Sequence, residues 1–105
     1  MDQSIKTLMM QELHLYSRDP INGRSYLTTT PNSDVYAVIG IARLDNKPIV
    51  GADLVVEWHD EMIIVHHDSY SIPFYESLVD AGIPRERIIL AYAGETIPES
   101  KSTQE

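Results

Sequence analysis

The chain of 105 residues is 43% hydrophobic and carries sixteen acidic against eight basic side chains, a formal charge of −8, with no cysteine. That size suits one domain with one core, and the missing cysteines exclude a disulfide framework, a thiolate zinc site and a thiol nucleophile. The negative field repels phosphate backbones, so direct nucleic-acid binding is not expected.

Residues Met1 to Asp19 lack a basic start followed by an unbroken apolar core, and nowhere do about eighteen apolar residues run together. Neither export nor a membrane span is expected, and the cytoplasm is the expected location. Between Ser4 and Ser17, Ile5, Leu8, Met9, Leu13 and Tyr16 recur at steps that place them on one helical stripe, with Glu12 beside it and Met10 off it. The turn formers Asp19, Pro20, Asn22 and Gly23 should end this helix and reverse the chain.

Tyr26 to Thr30 is rich in aromatic and β-branched residues, Pro31 to Asp34 can turn, and Val35 to Ala42 is a nearly continuous apolar run. These segments predict a hairpin. Asp45, Asn46, Lys47 and Pro48 supply the next turn. Ala52, Leu54, Val56 and Trp58 should then share the buried face of a strand, with Asp53 and Glu57 on the other. His59 to Glu61 connects that strand to another over Met62 to His67.

The second helix is the best-delimited element: Ser71 is placed to cap it, Pro73 suits its first turn, and Gly82 can adopt the left-handed closing conformation. Phe74, Tyr75, Leu78, Val79 and Ala81 fall on one arc with Gly82, and Glu76, Ser77 and Asp80 on the opposite one. After a polar turn at Arg85 to Arg87, Ile88 to Tyr92 reads as a final strand. The whole is an α+β fold: N-terminal helix, mainly antiparallel β-meander, covering helix and final strand. Residues 1–93 form the single domain, and the tail 94–105 is expected to be disordered.

Candidate chemistry centres on His66, His67 and Asp68, with His59, Asp60 and Glu61 across the hairpin, because imidazole and carboxylate together can shuttle protons or hold a metal. Strict alternation sends His66 and His67 to opposite faces, so both reach one ion only through a bulge. Asp68 closing a strand suits a cap for the following loop, and Asp60 with Glu61 suits a solvated turn. No catalytic residue, cofactor or metal site is assigned. Tyr26, Tyr36, Tyr70, Tyr75 and Tyr92 lack an accompanying basic groove, so sheet packing explains them better than base stacking. Trp58 suits the core margin, and Arg85 and Arg87 a solvated turn.

Asp60, Ile63, Val65, His67 and Asp68 fit the pattern D-G-K-I-x-I-Q-H-D, and Leu78, Ala81, Gly82, Ile83, Pro84, Glu86, Ile88 and Leu90 follow L-x-x-A-G-I-P-K-E-D-I-V-L. With Tyr36, Ile49 and Gly51 upstream, the chain resembles the XisI-like family of element excision controlling factors over almost its whole length. It departs at Arg43 and Leu44, where the family has Gly-Trp-Asp, and at Ala93, where it has His. The resemblance marks His67, Asp68, Gly82 and Pro84 as family-motif positions without an assigned role. It implies a non-enzymatic accessory protein in the excision of a DNA element, acting beside a XisH-like companion similar to nuclease-fold proteins. A self-associating module pairing through an open strand edge, and hence a homo-oligomer, is the alternative. A small hydrolase dependent on His67 and Asp68 is a further one.

Overall fold

The computed structural model describes residues 4–31 and 34–97. The first helix, α1 (Ile5–Tyr16), begins where the Ser4 hydroxyl accepts the Thr7 amide at 3.1 Å and ends at Ser17. Met9 and Leu13 are fully buried, and Ile5, Leu8 and Tyr16 pack beside them as the stripe predicts. Met10 also packs against the core, so the packed face is wider than the stripe.

Five strands follow in one sheet: β1 (Gly23–Thr29), β2 (Val35–Leu44), β3 (Lys47–His59), β4 (Met62–Asp68) and β5 (Ile88–Leu90). Their spatial order is their sequence order. The first four pair antiparallel, while β5 runs parallel to β4, with Ile63 opposite Ile88 and Val65 opposite Leu90. The parallel pairing follows from the helical crossover α2 (Phe74–Asp80), since adjacent parallel strands need a long connection.

Both helices lie on one face of this sheet. Met9 and Leu13 of α1 and Phe74 and Leu78 of α2 form a single buried cluster with the inward residues of β2, β3, β4 and β5. Among the described residues no helix covers the opposite, outer face, where Ile64 and Ile89 are nonetheless buried.

Several boundaries differ from expectation, each for a local reason. The turn between β2 and β3 is only Asp45 and Asn46, whose φ values of 53° and 65° give a type I′ hairpin, so Lys47 and Pro48 belong to β3. Pro48 is tolerated because in a two-residue hairpin the closing pair Leu44 and Lys47 exchanges hydrogen bonds, and the next pair, Arg43 and Pro48, does not. A bulge at Asp53, between the pairs Val38–Leu54 and Ile39–Ala52, takes Ala52 off the core face that alternation assigned it, and it is exposed.

Ser71 does not cap α2. Pro73 occupies the cap position without a side-chain bond, and the Asp68 carboxylate supplies the acceptor instead. Val79, placed on the covered arc, is exposed on the flank of this short helix. The final strand stops at Leu90, and Ala91–Ala93 form a 3₁₀ turn, because Glu95 folds back on Leu90: its carboxylate accepts the Leu90 N–H at 2.8 Å and its own N–H reaches the Leu90 carbonyl at 3.1 Å. The disorder expected of 94–105 concerns, from residue 98 onward, positions outside the described residues.

Candidate functional site

The four family-motif positions divide between the two sides of the sheet. Asp68 pairs with Leu54 and so points to the helix side, where its two carboxylate oxygens accept the Tyr70 N–H at 3.0 Å and the Phe74 N–H at 2.7 Å. One side chain thus fixes the loop and satisfies an orphan donor at the start of α2. At the other end of that helix the Gly82 N–H bonds the Val79 carbonyl and the Ile83 N–H bonds the Leu78 carbonyl, both at 3.0 Å. This is a Schellman stop, with Gly82 at φ +107° and the following Ile83 buried. Pro84 then sets the extended conformation that opens the 3₁₀ turn Arg85–Arg87.

His67 is different. A second bulge, at His66, lies between the pairs Val56–Val65 and Val55–His67. It brings His66 and His67 to the same outer face, which strict alternation forbids. His66 is already engaged, its Nε2 lying 2.8 Å from Glu57 Oε1, while His67 is exposed. The six residues read as one candidate cluster are therefore dispersed: His59 and Asp60 pair at 3.3 Å beside the β3–β4 turn, Glu61 sits in that turn at φ 63°, and Asp68 faces the helices. Among the described residues no group of three or more His, Asp or Glu side chains is gathered to hold a metal ion.

The arginines after α2 are structural rather than free. Arg85 lies 5.4 Å from the Tyr75 ring centroid, donates to the Ile88 carbonyl at 2.7 Å and meets Glu95 at 2.8 Å. Bonding to the Leu90 N–H, with help from Arg85, holds the Glu95 carboxyl below its ordinary range. Arg87 donates to the Glu61 carbonyl at 3.0 Å and so ties the β3–β4 turn to the start of β5.

The tyrosines form no stacking platform. Tyr36 is in the core with its hydroxyl on Asp34, Tyr26 is on the outer face, and Tyr92 is exposed. Tyr70 instead packs edge-on to Tyr16, 4.9 Å between centroids at 76°, and Tyr16 edge-on to Phe74 at 5.1 Å and 85°. Tyr16 was absent from the tyrosine set read from the sequence, because its helical stripe marked it only as core. Its hydroxyl lies 2.8 Å from that of Ser77, joining α1 to α2. An open cleft of about 540 Å³ runs along this seam, lined by Glu12, Leu15, Tyr16, Arg18, Tyr70 and Ile72 among others. Burial, reinforced by Asp80, raises the Glu12 pKa there. Trp58 is half-buried at the core margin, and its backbone N–H donates to the Asp34 carbonyl at 2.9 Å.

A family model described as XisI protein matches residues 1–102. Two solved structures share the fold. A XisI-like protein from Anabaena variabilis is 19% identical with a TM-score of 0.69, the match covering 84% of this chain and 85% of that one. The fdxN element excision controlling factor XisI from Anabaena variabilis is 20% identical with a TM-score of 0.55 over the same shares. No curated protein matches the chain.

Proposed function

The chain belongs to the XisI protein family, and on that footing we propose that it is a cytoplasmic accessory factor, not an enzyme, that controls excision of a DNA element through a protein partner. The observation that carries this reading is the family match over residues 1–102, joined to a neighbour of the same fold named an excision controlling factor.

The partner is a XisH-like protein of nuclease fold. A chain of net charge −8 is repelled by a phosphate backbone, so an intermediary that itself contacts DNA suits it better than direct binding. A basic groove on the partner provides the complementary field, which speeds encounter and suppresses wrong partners. Asp68 and Gly82 spend their chemistry on the ends of α2, whereas His67 stands exposed on the outer face. Of the motif positions, His67 is the exposed polar one, and it meets the partner.

The test is a pulldown of a XisH-like protein from the same genome at rising salt. A complex should form at low ionic strength and weaken as the screening length shortens from ~30 Å at 0.01 M to ~8 Å at 0.15 M. Absence of any complex at low ionic strength overturns the reading.

A further inference from the structure

The run Val35 to Ala42 is apolar on both of its faces, the pattern of a strand covered on two sides, yet both helices cover only one. Cross-strand register shows what the other side presents. Tyr26 stands opposite Ile39, Arg24 opposite Ile41, and Ile41 opposite Val50, all on the outer face. Tyr26 is 47% exposed, Ile41 38% and Val50 63%, and Val55 lies between these and the buried Ile64. An outer sheet face is ordinarily polar in alternate positions. This one carries an apolar centre instead, and contiguous exposed apolar surface on a sheet marks a contact.

We propose that this face is a self-association surface, on which a second copy of the chain packs sheet to sheet with its strands running in the opposite direction. Charge selects that occupant. The protein carries −8 overall, but the outward strand positions hold only Arg24 and Arg43 at the hairpin end and Glu57 at the other. Two copies therefore meet here without bringing their acidic groups together. A basic groove finds arginines at the hairpin end of this face and is left its β4 margin, where His67 stands.

Charge also selects the direction. Stacking in the same sense lays Arg43 over the partner copy's identical arginine, whereas the two-fold that reverses the strands lays the Arg24 and Arg43 end over the Glu57 end. Stacked sheets sit ~10 Å apart with strands about 30° from alignment, a geometry that suits the twist of both copies. With strands ~4.8 Å apart and a ~3.3 Å rise per residue, the five-strand face has a projected footprint of roughly 600 Å². Once side-chain relief is included, that is the order of the ~800 Å² per partner that a stable interface buries.

Light scattering and sedimentation of the whole 105-residue chain test this directly. The expected mass is twice the monomer's 11.9 kDa, falling to the monomer on dilution. Ile41→Glu and Val50→Glu each place a charge in the apolar centre and should weaken the dimer by roughly tenfold or more. Both positions are partly or largely exposed in the single chain, so circular dichroism and melting should stay close to wild type. Arg43→Glu should weaken it as well, less so at high salt. Ile72→Glu, on the helix side and 65% exposed, should leave it intact. A monomer mass at every concentration overturns the proposal. So does a dimer that survives Ile41→Glu and Val50→Glu, or one that yields only to Ile72→Glu. Protection of this face by a different protein, with no dimer in its absence, overturns it too.

Discussion

The Asp53 carboxylate stands where a β-carbon on Gly40 would be, across the pair of strands that builds the longest hairpin of the sheet. The bulge at Asp53 turns that side chain over the neighbouring strand, and only glycine leaves room for it. Gly40→Ala should therefore push the end of a short side chain aside at a cost of about 1 kcal/mol, the low end of the range for overpacking. In a domain of this size each kcal/mol lowers the melting temperature by roughly 4–8 °C. Removing the obstacle should remove the penalty: in an Asp53→Ala background, Gly40→Ala should cost close to nothing. A thermal double-mutant cycle reads that coupling, and equal penalties in the two backgrounds would show that the contact is not the reason for the glycine.

Asp68 serves two amides at once, the Tyr70 N–H in the loop and the Phe74 N–H at the start of α2. Asp68→Ala leaves both without that acceptor and should destabilise the fold by about 1–2 kcal/mol, as loss of a helix cap does. Asp68→Asn keeps one carbonyl oxygen but turns an amine toward the second N–H, and should fall in between. His67→Ala, next in the chain but exposed on the other face, should leave the melting temperature nearly unchanged while weakening capture of a XisH-like protein. Denaturant unfolding of the three variants beside the pulldown separates a structural motif position from a contact one.

This division was only partly legible in the sequence. The unit from β4 through α2 to β5 could be read because Gly82 and Pro84 stop a helix in only one way, and Ile88 to Leu90 has nowhere to go but beside Ile63 to Val65. The bulges at Asp53 and His66 could not, since each adds one residue without disturbing local composition and reverses the facing of its neighbours along the strand. For that one reason alternation puts Ala52 on the core face and separates His66 from His67. The cap on α2 came from Asp68, six residues before the amide it serves, where a local search stops at Ser71. Tyr92 was read as strand because its own residues favour one. The group that ends β5 is Glu95, a side chain from beyond it.

Glu95 and Glu12 should give the pH dependence opposite signs. Hydrogen bonding from Leu90, then Arg85, depresses the Glu95 pKa below its ordinary 4.5. A folded pKa below the unfolded one gives stability that is complete above the unfolded value and lost as pH falls through the folded value. Asp34 acts in the same sense, its pKa lowered by Lys6 first and Tyr36 second. Glu12 is raised, by burial and then by Asp80, so its ionisation weakens the fold and its protonation in acid relieves that. Melting temperature followed across the acid range should fall less steeply in Glu95→Gln than in wild type. Glu12→Gln should stabilise the protein at neutral pH, with the gain vanishing as the wild-type carboxyl protonates.

Tyr70 sets the alkaline limit by the same reasoning at the other end of the scale. Its phenol is pushed from 10.0 up to about 12, mainly by burial and further by the negative charges of Asp53 and Asp68. Its hydroxyl donates to the Tyr16 carbonyl at 3.1 Å, at the seam where α1 meets the loop before α2. A phenol whose folded pKa is raised keeps its proton longer in the folded state, so its stabilising effect is intact below pH 10 and is lost between pH 10 and about 12. Unfolding should then begin in that window, with phenolate absorbance from Tyr70 rising together with loss of secondary structure. Tyr70→Phe keeps the edge-on packing against Tyr16 but has no proton to lose. It should cost about 1 kcal/mol at neutral pH through the missing hydrogen bond and move the alkaline transition upward. An alkaline midpoint unchanged by Tyr70→Phe would assign the transition to another group. An ionisation of Tyr70 well ahead of unfolding would show that the seam opens locally before the core does.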